Sequence, residues 1–311
     1  MNLQEKLKII KTRLGLTQTE LAGKFSVSFA AFNSWWTGKS KPRPKKQAEI
    51  EELFLEITGQ KVIPESQLVA KKEALMQRPL AHHDILDFIL ENSDIRDEFI
   101  LKLTFHSNSI EGNTLTEPET ATVLFDNVAL PDRSLVEQLE VKNHQTALNY
   151  VFEYMRSDGK MDEKFILKLH SMLMNGVRAD AGAYRAHAVR ITGVNLPTAN
   201  CAKIPDLMSL VMAEAQKTIK DIIALTSKVH SRFEQIHPFS DGNGRVGRLL
   251  MNAMLLRANF APAIIRQEQK QLYYTYLYKA QTADDQSLLE NFLCDAVSDG
   301  FKILERVTEM P

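Results

Sequence analysis

The chain has 311 residues, a formal net charge of −1 and 44% apolar residues, which suits two globular domains or one domain with a small module. It holds no run of about 18 apolar residues and begins with a charged, amphipathic stretch, so it predicts neither a membrane-spanning helix nor a signal peptide. The only cysteines, Cys201 and Cys294, lie far apart in the sequence. This spacing argues against a disulfide framework or a zinc site, and we expect a cytoplasmic protein.

Charge is unevenly distributed along the chain. Residues 1–50 contain ten lysines and arginines against three acidic residues, a formal charge of +7, so the remaining residues carry −8. This asymmetry indicates a polyanionic partner for the N-terminal segment, or else a cationic face that is merely solvated.

The N-terminal segment predicts three short helices. LQEKLKIIKTRL is amphipathic and is followed by Gly15, a residue suited to a left-handed helix cap. Thr17 and Glu20 form a capping box for the second helix, and FAAFNSWW predicts a third that ends before Gly38. Through LGLTQTELA, the turn at Val27-Ser28, Trp35 and GKSKP, residues 1–58 resemble the helix-turn-helix domain of phage repressors.

The resemblance implies contacts with DNA phosphates from Gln18 and from the lysine-rich segment 39–46. The recognition helix differs from that pattern because its leading residues, 29–31, are Phe-Ala-Ala and offer no hydrogen bonds to base edges. Both DNA binding and protein docking therefore remain open for this domain. The candidate DNA contacts are Gln18, Asn33, Ser34, Lys39 and Lys41.

Beyond this module, residues 59–80 predict a linker because GQKVIPESQ is rich in turn-forming and polar residues. Apolar residues then recur at three- and four-residue spacings, which predicts a mainly helical body. Thr116 to Glu119 forms another capping box, with Pro118 early in its helix. The segment AHAVRITGVNLP, residues 186–197, is the exception, and its alternation predicts a small β-hairpin.

The stretch HPFSDGNGRVGR, His237 to Arg248, carries the chemistry. Pro238 cannot continue a helix, so His237 is expected at a helix end, where it suits a general base. The DGNG backbone predicts an anion-binding loop at the start of the next helix, and Arg245 and Arg248 share one face of that helix. With Asp241 as a Mg²⁺ ligand, the set predicts transfer of a phosphorus group from a Mg-nucleotide to a hydroxyl.

This stretch resembles the Fic family motif HPFx[D/E]GNGRxxR at every fixed position, and the resemblance extends over about residues 80–300. It implies a helical Fic core with a β-hairpin flap that pins a target strand, and transfer of AMP from ATP to a Ser, Thr or Tyr hydroxyl of a protein. His237 would be the catalytic base and Asp241 the magnesium ligand. The nucleotide-binding residues that it implies are Arg190, Ile191, Thr192, Gly193, Gly242, Asn243, Gly244, Arg245, Arg248, Tyr273 and Gln281; at Gln281 relatives often have asparagine.

The resulting fold class is mainly α: a Fic core with a small hairpin flap, joined to a small all-α helix-turn-helix domain. We divide the chain into residues 1–58 (helix-turn-helix domain), 59–80 (linker), 81–130 (N-terminal Fic region) and 131–311 (catalytic core).

A second motif, SNSIEG, predicts regulation. It resembles the family's inhibitory motif [S/T]xxxE[G/N], which assigns Ser107, Glu111 and Gly112 and implies that Glu111 occupies Arg248. The residues themselves indicate that Glu111 would gain from a cationic partner, because it is expected at a helix C-terminus, where the helix dipole disfavours a carboxylate. A solvated glutamate at the helix end is the alternative.

Three functions remain open from the sequence. The first is an autoinhibited protein adenylyltransferase that uses ATP and Mg²⁺ and also modifies itself. The second is a DNA-binding regulator whose Fic body only senses nucleotide. The third is a relative that removes AMP, or that transfers another group such as UMP or phosphocholine. A homo-oligomer is compatible with each of them.

Overall fold

The computed structural model describes residues 2–78, 84–126, 128–191, 196–283 and 285–306. Within these ranges the chain is helical and contains no β-strand. No helix there combines the length and the apolar character needed to cross a membrane. The helices are α1 Leu3–Leu14, α2 Gln18–Lys24, α3 Phe29–Trp36, α4 Pro44–Ile57, α5 Glu65–Met76, α6 Ile85–Glu91, α7 Ser93–Glu111, α8 Glu117–Ala121, α9 Leu135–Arg156, α10 Glu163–Leu173, α11 Ile204–Ala215, α12 Ile222–Ile236, α13 Asn243–Arg257, α14 Lys270–Thr282 and α15 Ser287–Arg306.

Helices α1 to α4 enclose a hydrophobic core of their own, which includes Leu7, Phe32 and Phe54. The local predictions are confirmed here: Gly15 caps α1 in the left-handed conformation, with φ 67°, and Thr17 and Glu20 form the capping box of α2. The assignment of these helices to the helix-turn-helix family stays a prediction.

The segment predicted as a linker contains a helix. Residues Glu65–Met76 form α5, which buries Leu68 and Leu75 in the main hydrophobic core. Lys72 of this helix forms ion pairs with Asp221 and Glu290. Residues 65–76 are therefore helical because burial of Leu68 and Leu75 stabilises a helix, and the turn-forming residues lie before its start.

The larger core lies between α7, α9, α10, α12, α13 and α15. Helix α13 lies in the middle of it, and eleven of its fifteen residues are buried apolar, glycine or asparagine residues: Asn243, Val246, Gly247, Leu249, Leu250, Met251, Asn252, Ala253, Met254, Leu255 and Leu256. The predicted end of α7 is confirmed, because Gly112 caps it with φ 106°. Burial of α13 brings its N-terminal turn against the C-terminal turn of α7.

The predicted β-hairpin at 186–197 is not supported. Residues 186–191 and 196–197 form no strand, and Thr192 and Gly193 lie outside the described residues. The alternation of Val189 and Ile191 had suggested strands, but an isolated two-stranded hairpin has little stability of its own.

Candidate active site

His237 ends helix α12 in a left-handed conformation, with φ 52° and ψ 63°. Its backbone N–H still donates to Phe233 O at 3.0 Å, so the residue closes the last helical turn. Its ring Nδ1 lies 3.2 Å from Glu234 O. Since a carbonyl only accepts, Nδ1 carries the proton and Nε2 is left unprotonated in the neutral ring. Burial is the main cause that lowers the pKa of His237, which favours this neutral form.

The loop that follows is held by its own polar groups. Asn243 Oδ1 accepts from Phe239 N, and Asn243 Nδ2 donates to Phe239 O, both at 2.9 Å. Gly242 stands at φ 78°, a conformation that favours glycine, and its N–H donates to Asp241 Oδ1 at 2.6 Å. Asn243 is 2% exposed, so its side chain orders the loop and does not face outward. The sequence had predicted a nucleotide contact for this residue.

Asp241 is the open carboxylate of the loop, with a side chain 53% exposed. No group of three or more His, Cys, Asp or Glu in the described ranges could hold a metal ion. One accessible carboxylate still fits Mg²⁺, which in nucleotide sites takes few protein ligands besides water and phosphate oxygens.

A histidine outside the motif supports the loop. His170 of α10 stacks on Phe239, with ring centroids 3.8 Å apart and planes 8° apart. Gly182 N donates to His170 Nδ1 at 2.9 Å, so the ring's proton is on Nε2, which lies 3.2 Å from Asp241 O. Burial lowers the pKa of His170 to about 4. The sequence offered no signal for this role, because it depends on how α10 packs against the loop.

Arg248 is engaged by the C-terminal end of α7. Its Nη2 donates to Glu111 Oε1 at 2.7 Å and to Ser107 O at 3.0 Å, while Nε donates to Ser107 Oγ at 3.0 Å. The Arg248 side chain is 6% exposed and that of Glu111 is 29% exposed. The structure therefore brings together the predicted residues Ser107, Glu111, Gly112 and Arg248.

Gly244 allows the Glu111 carboxylate to lie against the start of α13, because it has no side chain. A Cβ at Gly244 would lie 2.1 Å from Glu111 Oε1 and 3.0 Å from Arg248 Nη1. This glycine of the predicted anion-binding loop is thus covered by the Glu111 carboxylate. Arg248 Nη1 is buried without a hydrogen-bond partner.

Arg245 also pairs with a carboxylate from outside the motif. Its Nη1 donates to Glu140 Oε1 at 2.7 Å, and its Nη2 lies 3.7 Å from Asp241 Oδ1. Glu140 Oε2 in turn accepts from Asn113 Nδ2 at 3.1 Å. Arg245 is 3% exposed, so it now organises the loop from within. A role for Glu140 could not be deduced from its sequence context in α9.

Glu234 is a buried carboxyl next to these groups. It is 7% exposed, its Oε1 has no hydrogen-bond partner, and a Cβ on Gly247 would lie 2.4 Å from that oxygen. Burial raises the pKa of Glu234 to about 8, with Arg248 opposing the shift. The group is therefore mainly protonated at neutral pH.

The residues predicted to line the nucleoside pocket lie differently from the expectation. Tyr273 is 1% exposed, and its hydroxyl lies 2.6 Å from His230 Nε2, so it belongs to the core. Gln281 Nε2 donates to Ser231 O at 3.1 Å. Tyr274 is the half-buried neighbour, and Glu111 and Arg248 both influence its pKa, which burial raises. Arg190 is exposed and Ile191 is half-buried.

The candidate DNA contacts lie on the surface of the N-terminal helices. Lys39 and Lys41 are exposed, and Gln18 and Asn33 are half-exposed. Ser34 differs from the expectation, because its Oγ donates to Ala31 O at 2.8 Å and contacts Ser40 Oγ at 2.6 Å. Phe29 is 49% exposed at the start of α3.

Comparisons with known proteins agree with the geometry. Residues 160–255 match the Fic/DOC family. Protein adenylyltransferase Fic of Nematostella vectensis is 34% identical over 184 residues, which cover 58% of this chain and 43% of the relative. The Drosophila persimilis protein of the same name is 29% identical over 224 residues, 68% of this chain and 43% of the relative. The chain therefore spans less than half the length of these curated relatives.

Solved structures share the fold. A Fic domain containing signaling protein from Bacteroides thetaiotaomicron superposes with a TM-score of 0.65 at 26% identity, covering 79% of this chain and 98% of that one. Fic-1 (residues 134–508) from C. elegans gives a TM-score of 0.65 at 18% identity and covers 99% of this chain and 94% of that one. The motif thus lies within residues 160–255, which match the Fic/DOC family, and the proteins similar to the chain include curated protein adenylyltransferases.

Proposed function

We propose that the protein transfers AMP from Mg-ATP to a hydroxyl side chain of a target protein, and to itself, and that Glu111 restrains this activity by occupying Arg248. The observation that carries the proposal is the hydrogen bond from His237 Nδ1–H to Glu234 O. It leaves Nε2 free to accept a proton, at the edge of a glycine loop suited to phosphates.

In the reaction, His237 Nε2 takes the proton of the target hydroxyl. The hydroxyl oxygen bonds to the α-phosphorus, the bond from that phosphorus to the β-phosphate oxygen breaks, and pyrophosphate leaves. Asp241 would hold Mg²⁺, which would neutralise charge on the phosphates. The N–H groups at the start of α13 would stabilise the developing negative charge.

Autoinhibition follows from the same contacts. ATP needs Arg248 for its outer phosphates, and Glu111 now takes that guanidinium and covers Gly244. A hydrogen bond to a charged group contributes about 1.5–3 kcal/mol, equivalent to roughly 10–150-fold in nucleotide occupancy. A triphosphate carries more charge than one carboxylate, so it competes for Arg248 without making the inhibition permanent.

The test is incorporation of labelled ATP into the protein itself and into lysate proteins. Glu111→Gly should raise incorporation about 10–150-fold, as the contact energy predicts. Glu111→Gln is the matched control, because it keeps the side-chain shape, loses the charge and should give a smaller gain. Adding His237→Ala to Glu111→Gly should abolish the gain. If Glu111→Gly incorporates no more label than the wild type, autoinhibition by Glu111 is wrong.

Parallel reactions separate the other nucleotide chemistries. Labelled UTP and GTP test for transfer of a different group, and release of label from a modified protein tests for AMP removal. Incorporation from UTP above that from ATP would contradict the ATP assignment.

A second candidate function is DNA binding by residues 1–58. It is supported by exposed lysines, including Lys39 and Lys41, that lie in the +7 segment without a carboxylate partner in the described ranges. The apolar start of α3, Phe29 to Ala31, favours contact with phosphates over contact with base edges. Titration of labelled duplexes of unrelated sequence tests it, and equal, salt-sensitive affinities are expected.

A further inference from the structure

Arg185 is a buried arginine outside the motif, and its hydrogen bonds all go to backbone carbonyls. It is 3% exposed. Its Nε donates to His237 O at 2.7 Å, Nη1 donates to His187 O at 2.6 Å, and Nη2 donates to Ala199 O at 2.6 Å and to Ile236 O at 3.3 Å. A planar guanidinium reaches several acceptors with fixed geometry, which a lysine ammonium cannot reproduce.

Two of these carbonyls belong to the end of α12. Ile236 O and His237 O are among the carbonyls that a helix C-terminus leaves without intrahelical partners, and a cation there also suits the helix dipole. The backbone N–H of Arg185 adds a bond to Pro238 O at 3.0 Å. Arg185 therefore holds the backbone at His237 and at the residues on either side of it.

This support matters because His237 is a non-glycine residue at φ 52°. The left-handed conformation costs about 1–2 kcal/mol for such a residue. It persists where the surroundings fix it, and the direction of the imidazole depends on it.

The other two carbonyls lie at the ends of one segment. His187 O precedes residues 188–198 and Ala199 O follows them, so one guanidinium ties both ends to the last turn of α12. Thr198 Oγ1 donates to Val189 O at 2.9 Å and joins the same ends to each other. Arg185 thus fixes the backbone at His187 and at Ala199 relative to His237.

We propose that Arg185 is a positioning residue for the transfer reaction, acting through His237 by fixing the backbone of its helix end relative to His187 and Ala199. The inference rests on the proposed function in taking His237 as the base. It does not make Arg185 a contact of the nucleotide. Loss of the guanidinium should therefore lower turnover and leave nucleotide affinity intact.

The experiment compares Arg185→Lys and Arg185→Gln with Arg257→Lys, all in the Glu111→Gly background. Arg257 is a suitable control because it also donates to a helix-end carbonyl, Ala215 O at 2.9 Å, from the opposite end of α13 to the motif. For each variant we measure melting temperature, ATP affinity by calorimetry and kcat for AMP transfer. Misplacing a reacting group by about 1 Å can cost roughly 100-fold in rate.

We expect Arg185→Lys to lower kcat about 10–100-fold with ATP affinity within about twofold, and Arg257→Lys to leave both unchanged. A parallel loss of ATP affinity and kcat, or a kcat within twofold of the parent, would overturn the proposal. Failure of both Arg185 variants to fold, with Arg257→Lys folded, would assign Arg185 to stability alone and also overturn it.

An NMR measurement separates this proposal from the proposed function. In ¹⁵N-histidine-labelled protein, His237 should show the Nδ1-protonated tautomer, and Arg185→Lys should change its resonances while those of His170 stay in place. This readout needs no transfer activity. If the Glu111→Gly protein transfers no AMP, the proposed function fails. The positioning role is rejected separately, if the His237 resonances are unchanged in Arg185→Lys.

Discussion

Replacing Glu234 by glutamine should change how the stability of the protein depends on pH. In the folded state burial raises the pKa of this carboxyl from 4.5 to about 8. The folded protein therefore binds one more proton at Glu234 than the unfolded chain between these two pH values. The stability that the raised pKa contributes is complete below pH 4.5 and falls as pH rises towards 8. Glutamine keeps the shape and cannot titrate.

The size of the effect follows from the pKa values of 4.5 and about 8. Raising the pH from about 5.5 to about 7.5 should lower the wild-type free energy of unfolding by about 2.5 kcal/mol at Glu234. Buried histidines act in the opposite direction. Burial lowers the pKa of His144 and His230 to about 3 and that of His170 to about 4, from 6.5. Their neutral forms stabilise the fold above pH 6.5, and this stability is lost as pH falls.

Over the same interval these three histidines together should raise the free energy of unfolding by about 4 kcal/mol. In the wild type the Glu234 contribution opposes that of the buried histidines, which also include His106 and His237. Between pH 5.5 and pH 7.5, Glu234→Gln should therefore gain about 2.5 kcal/mol more than the wild type, because the Glu234 contribution is absent and the histidine contributions remain.

Urea unfolding at pH 5.5 and 7.5 measures how the free energy of unfolding changes with pH in the wild type and in Glu234→Gln. Glu214→Gln is the matched control: Glu214 is also buried, but its hydrogen bond to Lys228 and its pairing with Arg232 lower its pKa, so it stays charged at both pH values. This control should shift stability equally at the two pH values. If Glu234→Gln shows the wild-type pH dependence, Glu234 is ionised in the fold and the reasoning is refuted.

Three further predictions concern the site and the N-terminal helices. His237→Ala in the Glu111→Gly background should lower transfer about 10²–10⁴-fold with ATP affinity retained, checked by labelled transfer and calorimetry; unchanged transfer would remove His237 from the mechanism. Arg248→Ala should not reproduce the gain of Glu111→Gly, since it removes the inhibitory contact and the phosphate partner together; self-AMPylation assays compare the two. Lys41→Ala should reduce the slope of log affinity for duplex DNA against log salt by about 0.9, whatever the DNA sequence, and an unchanged slope would exclude a phosphate contact.

Local signals in the sequence predicted local structure. The caps at Gly15, Thr17, Thr116 and Gly112 are formed by residues close in sequence, and all four are present. The position of His237 at a helix end follows from Pro238 and is likewise confirmed. Such features depend on a few neighbouring dihedral angles, so a short stretch of sequence is enough to determine them.

Features that depend on the rotation of a helix or on distant packing were not predictable. Spacing alone does not tell which tyrosines of the YYTY run face the core; Tyr273 and Tyr276 do so, while Tyr274 is half-buried. His170 and Arg185 reach the loop from elements 52 to 71 residues away in sequence. Their roles come from the packing of α10 and of the residues after it, and no local sequence pattern predicts them.

The two arginines of the motif differ in how firmly their carboxylates are held. Glu140 is 17% exposed and is hydrogen-bonded by both Arg245 and Asn113, so it is anchored from two sides. Glu111 is 29% exposed, meets Arg248 through one short contact, and lies at a helix C-terminus that disfavours its charge. Release of Glu111 alone would leave the Arg245 pairing intact, and with it the start of α13. In the proposed autoinhibition, exchange of one anion for another at Arg248 would thus suffice, without unfolding of the loop that holds His237 and Asp241.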